Sequence, residues 1–221
     1  NHFSNQRQFH HVTRIPVLLS QCQQTVGLQL HHVIRDDRTP VLTTMNAVQQ
    51  CVPTVFTANI RGGFVKKADE LESVVLANNV DIACVTETWL KDVIPSGVVS
   101  ISGYVIHRND RRNGRRGGGV AVFVRQDIPC ERLTTLEAAD VESVWLLYRR
   151  PRMPRVLSHV VVGAIYHPPS ADDKVMTSHI LACLDSVTRQ HPHAGVILLG
   201  DFNRLRDGAL LSYPLRQVVK S

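Results

Sequence analysis

A carboxylate and a carboxamide two residues apart end an apolar run late in the chain: Val196-Ile197-Leu198-Leu199 stops at Gly200-Asp201-Phe202-Asn203. Period two along a strand puts Asp201 and Asn203 on the same side of the backbone. Neither group belongs in a core without a partner, so apolar flanks here hold a polar pair rigidly. Three more polar groups stand at predicted strand ends: Asn59 closes Thr54 to Asn59, Glu87 follows Val80 to Val85, and Tyr166 closes Val156 to Tyr166. Oxygen-rich groups of this kind suit metal-assisted phosphoester hydrolysis, which needs charge neutralised on the phosphate and an activated water. A hard divalent ion such as Mg2+, or Mn2+ in its place, takes one or two carboxylates plus waters and substrate oxygens. Glu87 is the expected metal ligand, with Asn59 orienting the ion or the phosphate. Asp201 is placed to accept a proton from water, Asn203 to hydrogen-bond the phosphate or orient a base, and Tyr166 to donate to a phosphate oxygen. Each residue alone also has a plainer role: a surface carboxylate or N-cap at Glu87, a turn residue at Asn59, an Asx-turn at Asp201 and Asn203, a half-buried aromatic at Tyr166. Their shared placement at strand ends favours the chemistry.

The elements that must position these groups are legible from periodicity. Thr54 to Asn59 is a β-branched and aromatic run broken by Arg61-Gly62-Gly63. Phe64, Ala68, Leu71 and Val75 then recur at helical spacing with charged residues between them, which predicts an amphipathic helix. Asn78-Asn79 ends it, because Asn tolerates a left-handed cap. With the buried run Val80 to Val85 this makes a unit of βαβ size. Gly103 to His107 and Val120 to Val124 predict a hairpin whose tip, Arg108 to Gly119, carries Arg108, Arg111, Arg112, Arg115 and Arg116. Ser143 to Tyr148 and Val156 to Tyr166 predict a second strand pair, stopped by Pro168-Pro169. Met176, Ile180, Leu184 and Val187 mark a second helix leading into the 196–199 strand. Arg204 to Ser221 shows no clear strand. Hairpins of largely antiparallel strands with helices between them predict an α/β layered sandwich rather than a doubly wound parallel sheet.

Composition sets the outer bounds. The chain has 221 residues, is 43% hydrophobic and carries a formal charge of +6, a modest basic excess that fits a polyanionic partner. Its five cysteines show no C-x-x-C spacing, which favours reduced thiols and an intracellular setting over secretion. No run approaches the ~18 apolar residues of a membrane span. Residues 1–53 are rich in His and Gln with weak periodicity, and are expected to form a poorly ordered N-terminal extension. Residues 54–221 are expected to form one partial domain, in a chain that begins with Asn1 rather than Met.

Five segments together resemble the endonuclease/exonuclease/phosphatase superfamily: Asn59-Ile60-Arg61, Thr86-Glu87-Thr88-Trp89-Leu90, Gly118-Gly119-Val120-Ala121-Val122-Phe123, Tyr166-His167-Pro168-Pro169 and Gly200-Asp201-Phe202-Asn203. Their combination and order look most like the endonuclease domain of non-long-terminal-repeat retrotransposons, over roughly residues 54 to 207. The resemblance implies a four-layered, DNase I-like α/β sandwich, incomplete at the C-terminus, and Mg2+-dependent nicking of DNA. It implies Glu87 as metal ligand with Asn59 beside it, and Tyr166 and Asn203 on the scissile phosphate. Asp201 then aligns or deprotonates the water. It also implies a covalently linked reverse transcriptase domain, action in the nucleus and no membrane partner. Two departures stand out. The family carries a late Ser-Asp-His, which occurs nowhere in this chain, and further strands after Gly-Asp-Phe-Asn, whereas Asn203 lies 18 residues before Ser221. The expectation is a fragment that alone cleaves DNA poorly, since losing one member of a catalytic unit costs orders of magnitude in rate.

The arginine-rich tip suits a DNA backbone, and Arg149, Arg150, Arg152 and Arg155 form a second cluster; a solvated loop is the plainer role for both. Few aromatics accompany either cluster, which disfavours a base-stacking platform. The same site chemistry also suits an inositol phosphate, a sphingolipid or a poly(A) tail, as in a phosphatase or deadenylase of the superfamily. From a different class, a non-catalytic retroelement remnant fits the missing Ser-Asp-His.

Overall fold

The structure, a computed structural model, describes residues 12–14, 53–112, 116–149, 157–205 and 216–220. Two sheets form. In the first, strand β1 (Val12–Arg14) pairs antiparallel with β2 (Thr54–Asn59). Gly62 and Gly63 then turn the chain into helix α1 (Phe64–Ala77). Its buried face is Phe64, Ala68, Leu71 and Val75, the stripe expected from the spacing. Asn79 takes the left-handed conformation just past its end, at φ 47°. Strand β3 (Ile82–Thr86), buried throughout, runs parallel to β2 with Asn59 opposite Thr86. The hairpin of β4 (Tyr104–Asn109) and β5 (Val120–Arg125) completes the sheet in the order β1-β2-β3-β5-β4.

The second sheet begins with β6 (Cys130–Arg132) and β7 (Glu142–Tyr148). Strand β8 (His159–Tyr166) returns antiparallel to β7. Helix α2 (Asp173–Gln190) follows, its first turn capped by the Asp172 carboxylate, which accepts from the backbone N–H of Lys174 and Val175. Through this crossover β9 (Ala194–Asp201) lies parallel to β8, and β10 (Arg216–Lys220) lies parallel to β9. The order is β10-β9-β8-β7-β6.

Three apolar clusters make four layers of these parts. One fills the space between the sheets, with Val55, Cys84, Val122 and Val124 facing Val144, Leu146, Val162, Ile197 and Leu199. A second sits between α1 and the first sheet, around Phe64, Leu71, Ala83 and Phe123. A third sits between α2 and the second sheet, around Trp145, Ile165, Ile180, Leu184 and Leu198. The expected α/β sandwich is thus the observed one. Pairing is more mixed than the hairpins suggest: β2/β3, β8/β9 and β9/β10 are parallel.

The closing stretch departs from expectation. Its sequence shows no clear strand, yet residues 216–220 form β10. Val218-Val219 is a short apolar pair between Gln217 and Lys220, too brief for periodicity to register. Strand β6, only three residues long, escaped for the same reason. Of residues 1–53, the structure describes only Val12–Arg14 and position 53. Cys84, Cys130 and Cys183 are free thiols. Among the described residues no helix is long and apolar enough to cross a membrane.

Candidate active site

Because β2 and β3 run parallel in one sheet and β8 and β9 run parallel in the other, their C-terminal tips collect at one edge of the sandwich. Asn59, Glu87, Tyr166 and Asp201 meet there. Asn59 Nδ2 donates to Glu87 Oε1 at 3.0 Å and, across the gap between the sheets, to Asp201 Oδ2 at 2.6 Å. Its Oδ1 accepts the Arg61 N–H at 3.0 Å, which fixes the amide with its nitrogen toward both carboxylates. The Tyr166 hydroxyl donates to Glu87 Oε1 at 3.0 Å. Burial first, and then the Glu87 charge, push the phenol above its ordinary pKa, so it stays a proton donor.

The backbone around these groups is unusual. Glu87 sits at φ 53° and Trp89 at φ 55°, left-handed conformations that bulky residues adopt rarely. Neighbouring turns hold them: Gly62 N–H donates to the Glu87 carbonyl at 2.7 Å, and Trp89 N–H to the Gly118 carbonyl at 2.9 Å. Gly200, at φ 120°, lets β9 pass so close to β8 that a Cβ there would overlap the Ile165 carbonyl oxygen. Asp201 is 9% exposed. Its Oδ1 accepts the Asn203 N–H at 2.9 Å, so the Asx-turn forms as well as the site. Asn203, at φ 46°, turns its own amide to the His167 carbonyl at 2.8 Å. Asn203 therefore stands beside the cluster, exposed, rather than within it.

The donor set is hard oxygen. Among the described residues no three His, Cys, Asp or Glu side chains are grouped to hold a metal ion. The cluster's two carboxylates are Glu87 and Asp201. Asn59 presents nitrogen, and so secures the two acids rather than offering an oxygen to an ion.

The arginines of the hairpin tip divide. Arg108 is 13% exposed and fully engaged within the fold: it pairs with Asp110 and donates to the carbonyls of Ile94 and Lys91, each at 2.7 Å. Arg111 pairs with Glu142 at 2.6 Å. Arg112 and Arg116 are exposed, with Arg116 stacked 5.0 Å over the Trp89 ring. Arg115 lies outside the described residues, as do Arg150, Arg152 and Arg155 of the second cluster; Arg149 is exposed.

Sequence reasoning passed over three contributors. Glu142 begins β7 directly opposite Tyr166, and a strand-initial acid carries no distinguishing signal. Trp89, whose ring carries Arg116, stands in the sequence only as one residue of Thr86-Glu87-Thr88-Trp89-Leu90. His167 is fully buried, with Nε2 2.8 Å from Asp173 Oδ1 at the start of α2. It braces the strand end that receives Asn203, on the α2 side of the sheet.

Residues 56–215 match the model of the Endonuclease/Exonuclease/phosphatase family. No curated protein matches the chain. Among solved structures it is similar to the endonuclease domain of TRAS1, a telomere-specific non-LTR retrotransposon, at 18% identity over 66% of this chain and 58% of that one, with a TM-score of 0.46. It is also similar to a humanized D. rerio TDP2, at 12% identity over 72% of this chain and 71% of that one, TM-score 0.49. The Xenopus laevis APE2 catalytic domain matches at 18% identity over 67% of this chain and 58% of that one, TM-score 0.44. The chain thus spans about 58% of the retrotransposon domain's length.

Proposed function

Because the chain belongs to the Endonuclease/Exonuclease/phosphatase family, we propose that its site performs Mg2+-dependent hydrolysis of DNA phosphodiesters, as the nicking part of a retroelement protein. The observation that carries this reading is the Asn59–Glu87–Tyr166–Asp201 cluster, bonded across two sheets at one edge. A bound Mg2+ supplies neutralisation of phosphate charge and a more acidic water. Glu87 would hold the ion, and Tyr166, kept protonated, offers its hydroxyl to a phosphate oxygen. Asp201, whose Oδ1 accepts the Asn203 N–H and whose Oδ2 accepts the Asn59 amide, takes the water's proton on a remaining lone pair. Asn59 keeps the acids apart and aligned until substrate arrives.

DNA is favoured over a small phosphoester by exposed Arg112, Arg116 and Arg149 and by the formal charge of +6. The retroelement setting, with a linked reverse transcriptase and nuclear action, is supported by Thr86-Glu87-Thr88-Trp89-Leu90 and Gly118-Gly119-Val120-Ala121 ahead of Gly200-Asp201-Phe202-Asn203. On this reading turnover by this chain is slow, because the sequence carries no Ser-Asp-His. Calorimetric titration of Mg2+ and nicking of supercoiled plasmid test the reading together. The expected result is Mg2+ binding lost in Glu87→Gln, and slow nicking lost with it. Mg2+ binding indifferent to Glu87, or preference for an inositol phosphate over plasmid, overturns it.

A further inference from the structure

Among the described arginines of the hairpin tip, Arg111 alone lies over the ring of a site residue, Tyr166. Its guanidinium carbon lies 5.8 Å over the centroid of the Tyr166 ring. Its Nε donates to Glu142 Oε1 at 2.6 Å, and its Nη1 to the Arg116 carbonyl at 3.3 Å. The side chain is 20% exposed and its Glu142 partner 14%. Glu142 is the cross-strand partner of Tyr166, so the two side chains leave the same face of the sheet at the same level. The second Glu142 oxygen accepts the Gly119 N–H, pinning the end of the loop to the acid that holds the arginine. Gly118 completes the arrangement: a Cβ there would overlap both Arg111 Nε and Glu142 Oε2. Four local features thus fix one guanidinium: an ion pair, a loop amide, a glycine and an aromatic face.

The fixed group faces a specific task. Tyr166 bonds Glu87 with its hydroxyl, so a cation over its ring lies one side chain from the carboxylate cluster. Glu87 and Asp201 within that cluster, with Glu142 beside it, concentrate negative charge, which repels a phosphodiester. An ion at Glu87 offsets part of this. With Nε and Nη1 engaged, Arg111 still has Nη2 without a bond among the described residues, and a guanidinium pre-set by an acid loses little freedom when it takes a phosphate oxygen.

Resting on the DNA reading above, we propose that Arg111, positioned by Glu142, contacts the phosphate seated at Tyr166. It thereby supplies the site with a protein cation beside the Tyr166 that bonds Glu87. Arg112 and Arg116, exposed on the tip, track the flanking backbone instead.

The test is binding of the full chain to a short labelled duplex in Ca2+, with one neutral methylphosphonate moved along the scissile-strand backbone and salt varied. In the unchanged protein one position weakens binding most and marks the seated phosphate. In Arg111→Gln, binding falls about tenfold, as for loss of a charge-assisted bond. The penalty at that position shrinks to less than twofold while penalties elsewhere stay, and the log–log salt slope drops by about one. An unchanged map and slope overturn the proposal while leaving the DNA reading intact. No duplex binding by the unchanged protein overturns the DNA reading itself. Should Arg111→Gln lose its melting transition, Arg111→Lys decides: the proposal requires an unchanged slope with at least half of the position-specific penalty gone, and a retained penalty overturns it.

Discussion

Asn59 serves two acids with one amide nitrogen, and that places it at the centre of the cluster. Removing it leaves Glu87 with the Tyr166 hydroxyl and Asp201 with the Asn203 N–H, but with no donor shared between the two acids. Asn59→Ala should therefore cost about 1–2 kcal/mol at neutral pH, the range for bonds to charged groups at a partly exposed site. Most of the loss should vanish on adding Mg2+, which would take over the charge the amide offsets. Urea denaturation with and without Mg2+ checks this, and an equal loss in both contradicts it. At this scale the sequence was informative where polarity interrupts an apolar run, as at Asp201 and Glu87. It was uninformative about direction. Arg108 and Arg111 sit three residues apart in one basic stretch. One caps the carbonyls of Ile94 and Lys91, while the other leans over Tyr166. Neither set of partners is near in sequence, so composition cannot tell them apart.

At the scale of elements, helices α1 and α2 and the strands β2, β3, β5, β7 and β9 were legible because each buries a regular face long enough to show a period. Strands β6 and β10 were not, because three to five residues flanked by charge carry no period. The parallel β8/β9 pairing adds a demand that local pattern never displays. It brings Gly200 against the Ile165 carbonyl, a place for no side chain. Gly200→Ala should destabilise the protein by on the order of 3 kcal/mol, combining a left-handed backbone with overpacking. It should also disturb Asp201, the next residue. The expected result is a lowered melting temperature with Mg2+ affinity reduced in the fraction still folded. A melting curve unchanged within error would show that β9 shifts freely.

At the scale of the whole molecule, three imidazoles tie stability to pH. His107, His159 and His179 all titrate below the usual histidine value, chiefly through burial, with Arg132 adding to the effect at His107 and His191 at His159. The unfolded chain then binds protons more readily than the folded one. Their contribution is fully present above the unfolded value of about 6.5 and is lost as pH falls through the lowered folded values. Melting temperature should decline from pH 7 to pH 5, and His159→Gln should flatten part of that decline; an equally steep profile in the variant would remove His159 from the account. The two sheets also act as the jaws of a caliper. Glu87 hangs from one jaw, Tyr166 and Asp201 from the other, and the gap between them is set by the apolar side chains of the middle layer. Asn59, Asn109, whose amide reaches the Ser143 carbonyl at 3.0 Å, and the Arg111–Glu142 pair bolt the jaws together at the open end. The width at which the acids face a phosphate is thus gauged by valines and leucines that never touch it.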